Sequence, residues 1–218
     1  MPEYKVPGVY VEENSNLPPV IYSQFMSVPV FIGYTEKSIK TEAGDLLQVA
    51  QEINSLLEFE QYFGKAKPET NSISIEFTGA VAKAFINEEL RSKYLMYYSL
   101  QLFFANGGGK CFIVSIGNYE TNNNIDVDKL LSGLAIAKDI DCAGLILFPD
   151  AINLNSLDDY YFLVRQAIKQ AAVLKDLFVL LDVYENKVNG NNWQANISAL
   201  RNNLNGSSAE LKYAAVYF

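Results

Sequence analysis

The clearest signal lies in the second half of the chain, where apolar runs alternate with segments of helical period. Residues 111–116, 143–148, 177–183 and 213–218 read as strands, and 126–139, 156–175 and 191–203 as the helices between them. The runs Gly-Leu-Ile-Leu-Phe and Leu-Phe-Val-Leu-Leu-Asp-Val are continuous rather than alternating, the pattern of strands covered on both faces. Strands of that kind separated by helices predict an α/β fold with a mainly parallel sheet flanked by helices. In the first half, residues 28–34 form a strong strand candidate closed by Gly33 and Thr35, and 48–53 is a strand whose Gln and Glu also suit a helix. Ser55-Leu56-Leu57-Glu58 is a capping box that opens a short helix, ending at Phe63 with Gly64 as its left-handed cap. Residues 65–79 read as loop plus a strand over 72–77, and 80–90 and 93–105 as helices. The second of these is apolar on nearly every side, which predicts burial on several sides, either centrally in the domain or at an interface. It stops at Asn106-Gly107-Gly108-Gly109.

Residues 1–20 have a different character. Pro2, Pro7, Pro18 and Pro19 punctuate them, and Val6-Pro7-Gly8 reads as a turn. Between the breakers, Val9-Tyr10-Val11-Glu12-Glu13 has the β-branched and aromatic residues of one short strand. A lone strand must pair to satisfy its backbone, either with its own domain or with a neighbouring subunit. The chain therefore divides into an extended N-terminal β-arm, 1–20, and an α/β body, 21–218. Because the last apolar strand has no polar tail, the body is expected to be incomplete at its C-terminal end.

Composition narrows the chemistry. Half of the 218 residues are hydrophobic and 19% charged, enough for a large core. There are 14 Tyr, 13 Phe and 1 Trp, a bias that suits half-buried surfaces where subunits meet. A net charge of −8 and no cluster of Lys or Arg argue against nucleic-acid binding. No apolar run is long enough to span a bilayer, and Met1-Pro2-Glu3-Tyr4-Lys5-Val6-Pro7 lacks the form of a signal peptide, so cytoplasmic synthesis is expected. Cys111 and Cys142 read as buried thiols in adjacent strands. The chain has no histidine, which removes Ser-His and Cys-His pairs and the commonest metal ligand. Asp150 and Asp182 fall at the carboxyl ends of strands, where α/β sheets bind ligands and where a carboxylate can act as base or metal ligand. Neither belongs to a recognisable catalytic cluster, and Asp at a strand end also forms turns and helix caps. Gly107-Gly108-Gly109 follows a helix and precedes a strand, the reverse of a phosphate loop, and reads as a sharp reversal. No catalytic, metal or cofactor residue is therefore assigned.

Several stretches, in order, resemble the tail sheath proteins of contractile phages, R-type bacteriocins and related injection systems. PEYKVPGVYVEE (2–13) is similar to that family's opening segment, VPVFIGYTEK (28–37) to its first core strand, and INSLLEFEQYFG (53–64) to its Ser-x-x-Glu-Phe helix. LMYYSLQLFFANGGGKCFIVSIG (95–117) resembles its Tyr-rich helix, glycine turn and strand, and KYAAVYF (212–218) a late strand. The resemblance implies a structural subunit rather than an enzyme. Such subunits polymerise as stacked hexameric rings around an inner tube and contract to drive that tube through an envelope. The implied partners are further copies of the chain, the inner tube protein, and baseplate and terminator proteins, with no nucleic acid, no cofactor and no membrane insertion. Tyr4, Pro7, Gly8, Val9, Tyr10, Val11, Glu12 and Glu13 would form the inter-subunit arm by β-augmentation. Assembly would be cytoplasmic, within a phage tail or tail-like particle that can be released. The resemblance also implies a further C-terminal portion that completes the body. The alternative is an α/β enzyme or ligand-binding domain using Asp150 and Asp182.

Overall fold

A computed structural model describes residues 28–70, 72–79, 81–185 and 192–217, and the expected arm, with Tyr4 to Glu13, lies outside them. In chain order the elements are β1 (Val28–Thr35), β2 (Ala50–Ile53), α1 (Leu56–Phe63), β3 (Ile73–Thr78), β4 (Val81–Ile86), α2 (Met96–Ala105), β5 (Cys111–Asn118), α3 (Val127–Ala137), β6 (Ala143–Leu147), α4 (Leu157–Leu174), β7 (Phe178–Asp182), α5 (Trp193–Asn203), α6 (Ser208–Leu211) and β8 (Ala214–Tyr217). All eight residues of β1 are buried, because this strand lies inside a six-stranded sheet ordered β2-β5-β1-β6-β7-β8. Every neighbouring pair is parallel except β2 with β5. The mainly parallel sheet flanked by helices is thus as the apolar runs predict.

Alternation along the strands splits the core into two layers. Val30, Ile32, Tyr34, Val114, Ile116, Ile146 and Val179 join Leu130 and Leu134 of α3 and Leu163, Val164 and Ile168 of α4 on one face. Phe31, Ile113, Cys111 and Ile53 join Phe59 and Phe63 of α1 and Met96 and Leu100 of α2 on the other. The second layer covers only part of its face: Leu145, Leu147, Phe178 and Leu180 are half-buried. The reading of β6 and β7 as covered on both faces is corrected accordingly.

Ser55 caps α1 by accepting from the amide of Glu58 at 3.2 Å, as the motif predicts. The Glu58 carboxylate reaches one residue further back than expected, to the amide of Asn54 at 2.7 Å. Gly64 ends the helix with φ +83° and ψ −158°, a positive-φ conformation outside the left-handed helical region, and Glu36 packs where a Cβ would stand. Gly107, at φ +84°, makes the predicted reversal after α2.

Two further expectations are corrected. Residues 80–90 hold strand β4 rather than a helix; it pairs antiparallel with β3 around Gly79, with Ile73 opposite Ile86 and Thr78 opposite Val81. Helix α2 buries Met96 and Leu100 within the domain and leaves Leu102 67% exposed. Cys111 and Cys142 do not lie on adjacent strands, because β1 separates β5 from β6, and Cys142 is half-buried. Burial pushes the Cys111 thiol up to about 12, so it stays protonated.

Helix α3 sits close to the sheet at Gly133, where a Cβ would press on the Ile32 methyl and lie 2.7 Å from that of Ile116. Helix propensity favours Ala over Gly by about 1 kcal/mol. The overlap with two stiff β-branched side chains costs about 1–3 kcal/mol, and the net sign follows the overlap. Gly133→Ala is expected to lower the urea midpoint at unchanged slope, and a raised midpoint would contradict this packing.

Candidate functional site

Ligands of α/β sheets bind beyond the carboxyl ends of the strands, where neighbouring connections leave toward opposite faces. Here that place flanks β1, whose chain leaves toward α1 and α2 while β5 and β6 lead to α3 and α4. Its floor is Asp150, fully buried just beyond β6. One carboxylate oxygen accepts from the amide of Tyr34 at 2.7 Å. The other accepts from the amides of Leu95 at 2.6 Å and Met96 at 3.1 Å. Leu95, at the N-terminus of α2, has no capping side chain of its own, so Asp150 caps that helix from a distant strand end. A Cβ at residue 33 would collide with the same carboxylate, which explains Gly33. Gly33 therefore does not close the strand, as the sequence reading has it; it makes room inside it.

Burial pushes the Asp150 carboxyl up from 3.8 to about 6, against the pull of the three amides. Its two oxygens are occupied by backbone donors. The carboxylate is a structural anchor, not an available base.

Above it, aromatic rings fill the crevice. Tyr34 and Tyr94 lie 5.2 Å apart between centroids, and Tyr94 stacks on Tyr119 at 4.8 Å. Each hydroxyl is engaged. Tyr34 accepts from the amide of Asp126 at 3.1 Å, and Tyr94 accepts from that of Glu120 at 3.0 Å. Tyr119 donates to the carbonyl of Lys65 at 3.0 Å. Burial raises the pKa of all three phenols, that of Tyr34 to about 12, so they remain neutral. Lys67 lies over Tyr94 and donates to the carbonyl of Glu120 at 2.6 Å; Lys129 lies over Tyr34 and pairs with the Glu120 carboxylate at 3.0 Å. Sequence reasoning found Asp150 but not this plug, because its members come from four separate segments.

Asp182 stands elsewhere. It is exposed at the end of β7, beside a cleft of ≈ 250 Å³ lined also by Leu147, Pro149, Tyr160 and Tyr217. Asp150 does not line that cleft, so the two carboxylates are not brought together there. Desolvation raises the Asp182 carboxyl, and Tyr160 donates to its backbone carbonyl at 2.6 Å. Among the described residues no group of three or more acidic or thiol side chains could hold a metal ion, and no helix is long and apolar enough to cross a membrane.

No protein-family model matches the chain, and no curated protein does. Among solved structures, it is similar to the helical sheath of the anti-feeding prophage in its contracted state. The identity is 20% and the TM-score 0.46, over 98% of this chain and 45% of that one. The chain thus spans less than half the length of that sheath protein.

Asp150→Asn keeps the shape but presents an NH2 group to at least one backbone amide. Leaving buried donors unpaired costs about 1–3 kcal/mol each, and the urea midpoint is expected to fall accordingly. The pH dependence gives the sign. The folded carboxyl titrates above the unfolded one, so its contribution is fully present below about 4 and is lost as pH rises through about 6. The wild-type chain should lose stability across that window, and Asp150→Asn should flatten the change. An identical pH profile in the variant would refute the assignment.

Proposed function

We propose that this chain is a structural subunit of a contractile tail sheath. The observation that carries the reading is the ordered series of sheath-like segments, three of which form the framework of the described domain. Residues 28–37 hold the central strand β1, 53–64 hold α1, and 95–117 hold α2, its glycine turn and β5. These segments supply eight of the nine buried residues of one core layer, so the resemblance lies in the framework of the domain and not in scattered surface residues.

In this reading residues 1–20 are the inter-subunit arm and 21–218 the body. Tyr4, Pro7, Gly8, Val9, Tyr10, Val11, Glu12 and Glu13 lend a strand to a neighbouring copy by backbone pairing. Copies close into hexameric rings that stack around an inner tube, between a baseplate and a terminator. Contraction repacks rigid bodies and drives the tube forward, without nucleotide hydrolysis in the sheath. Assembly takes place in the cytoplasm, as part of a tail or tail-like particle. The filled crevice supports a structural role, since the customary ligand position of the fold is occupied by its own side chains.

The second reading, an enzyme or ligand-binding domain, retains only Asp182 and its cleft. It requires ligand-induced stabilisation that Asp182→Asn removes. An unchanged melting temperature across divalent cations and phosphate esters counts against it.

Negative-stain electron microscopy of the complete reading frame's product tests the sheath reading. Stacked rings or tubes of uniform diameter are expected, and removal of residues 1–13 should prevent their growth while leaving the melting temperature of the body unchanged. A product that stays monomeric in the presence of its inner tube would overturn the proposal.

A further inference from the structure

Two apolar surfaces on opposite sides of this domain are unexplained by its own packing. The first is the β3–β4 hairpin, every strand residue of which is exposed. Its register sorts the side chains. Ile73, Ile75 and Phe77 share a face with Ala82, Ala84 and Ile86, while Glu76 lies opposite Lys83 on the other face. A two-stranded hairpin is marginal alone in water, so a wholly apolar face calls for a covering surface. The base is held firmly: the Glu69 carboxylate accepts from the Ser92 amide at 3.0 Å and from the Ser72 hydroxyl at 2.6 Å. The stripe continues at its inner end into a cleft bordered by Leu95 and Tyr98.

The second surface is an open groove of ≈ 640 Å³ between α3 and α4. Leu131 and Leu134 line it from α3, and Phe162 and Val173, 43% and 76% exposed, from α4. The charged residues that line it are both lysines, Lys138 and Lys169, in a chain of net charge −8. Residues 69–92, the hairpin and its base, carry Glu69, Glu76, Glu88 and Glu89 against Lys83 and Arg91, four acids to two bases.

We infer that the hairpin of one copy docks into the α3–α4 groove of the next. This contact deepens the sheath reading and rests on it. Both surfaces are apolar, and their charges are complementary. Their lengths agree: six-residue strands span about 20 Å, and α3 and α4 about 16 and 27 Å. A chain cannot serve itself, because the hairpin joins α1 to α2 on one face of the sheet and the groove lies on the other. The contact is therefore heterologous, head to tail, which generates rings or open helices rather than closed dimers. The cleft beside β7 is the less suitable acceptor, since its charged lining residue is Asp182.

Charge exchange tests the contact in the complete chain. Glu88→Lys with Glu89→Lys, and separately Lys138→Glu with Lys169→Glu, should each weaken self-association by about tenfold in sedimentation. An equimolar mixture of the two variants should recover it, because each hairpin then meets a groove of opposite sign. In parallel, Phe77→Cys and Val173→Cys preparations mixed with a short bismaleimide should yield a 77–173 cross-linked dimer, absent from the wild-type chain with its own Cys111 and Cys142. Unchanged association in both variants, no recovery on mixing, or no 77–173 cross-link in an associated sample each overturns the contact. Rings or tubes that form normally in the charge variants would do so while leaving the sheath reading intact. A wild-type chain that remains monomeric under all conditions removes both.

Discussion

One buried carboxylate holds the architecture together. Asp150 is held by three backbone amides drawn from a strand and from a helix end. A buried charge is tolerable only with such a full set of donors. That requirement fixes its surroundings. It sets where β1 ends and how α2 enters the fold, and it excludes any side chain at Gly33. With α2 seated there, Tyr94 is carried over Tyr34 and under Lys67, and the crevice closes. An α/β sheet whose ligand position is spent on its own cohesion has its outer surfaces left for recognition.

Those outer surfaces carry several large apolar side chains. Ile75, Phe77, Phe162 and Val173 are each more than two-fifths exposed. Scattered exposed apolar residues need no explanation, but here they fall into a stripe and a groove. The two lie on opposite sides of the sheet, and in the proposed contact other copies bury both. A protein that buries its apolar surface only between copies has its assembled state favoured by mass action, without any new covalent or catalytic chemistry.

Much of the architecture was legible from the chain itself, and the failures have physical causes. Strands β5, β6 and β7 announce themselves because parallel strands are apolar along their whole length. Ser55 and Gly64 bound α1 because capping is local chemistry. Residues 80–90 misled because Ala, Lys, Glu and Leu favour helices, while cross-strand pairing with β3 decided otherwise. Helix α2 is apolar on more sides than the domain covers, with Tyr98 and Leu102 facing outward. Asp150 was recognised as a strand-end carboxylate with two possible roles. Its partners are 116, 55 and 54 positions away in sequence, and such contacts leave no local pattern. The aromatic plug was invisible for the same reason. The arm, the most distinctive stretch in the sequence, lies outside the described residues, and its role rests on motif resemblance.

The division between a locked interior and apolar exteriors has a consequence for motion. A machine that works by sliding subunits past one another needs bodies that do not deform and contacts that can be exchanged. The interior here meets the first condition: the central strand is fully buried, the crevice is filled, and the connections beyond β1, β5 and β6 are tied to the Asp150 and Tyr94 networks. The hairpin meets the second. It is anchored at its base by Glu69 and its two strands pair with each other, so in the proposed contact it exchanges one groove for another without disturbing the core. Under the sheath reading, the energy released on contraction then resides in contacts between copies, and the fold of the single subunit stays the same on either side of the transition.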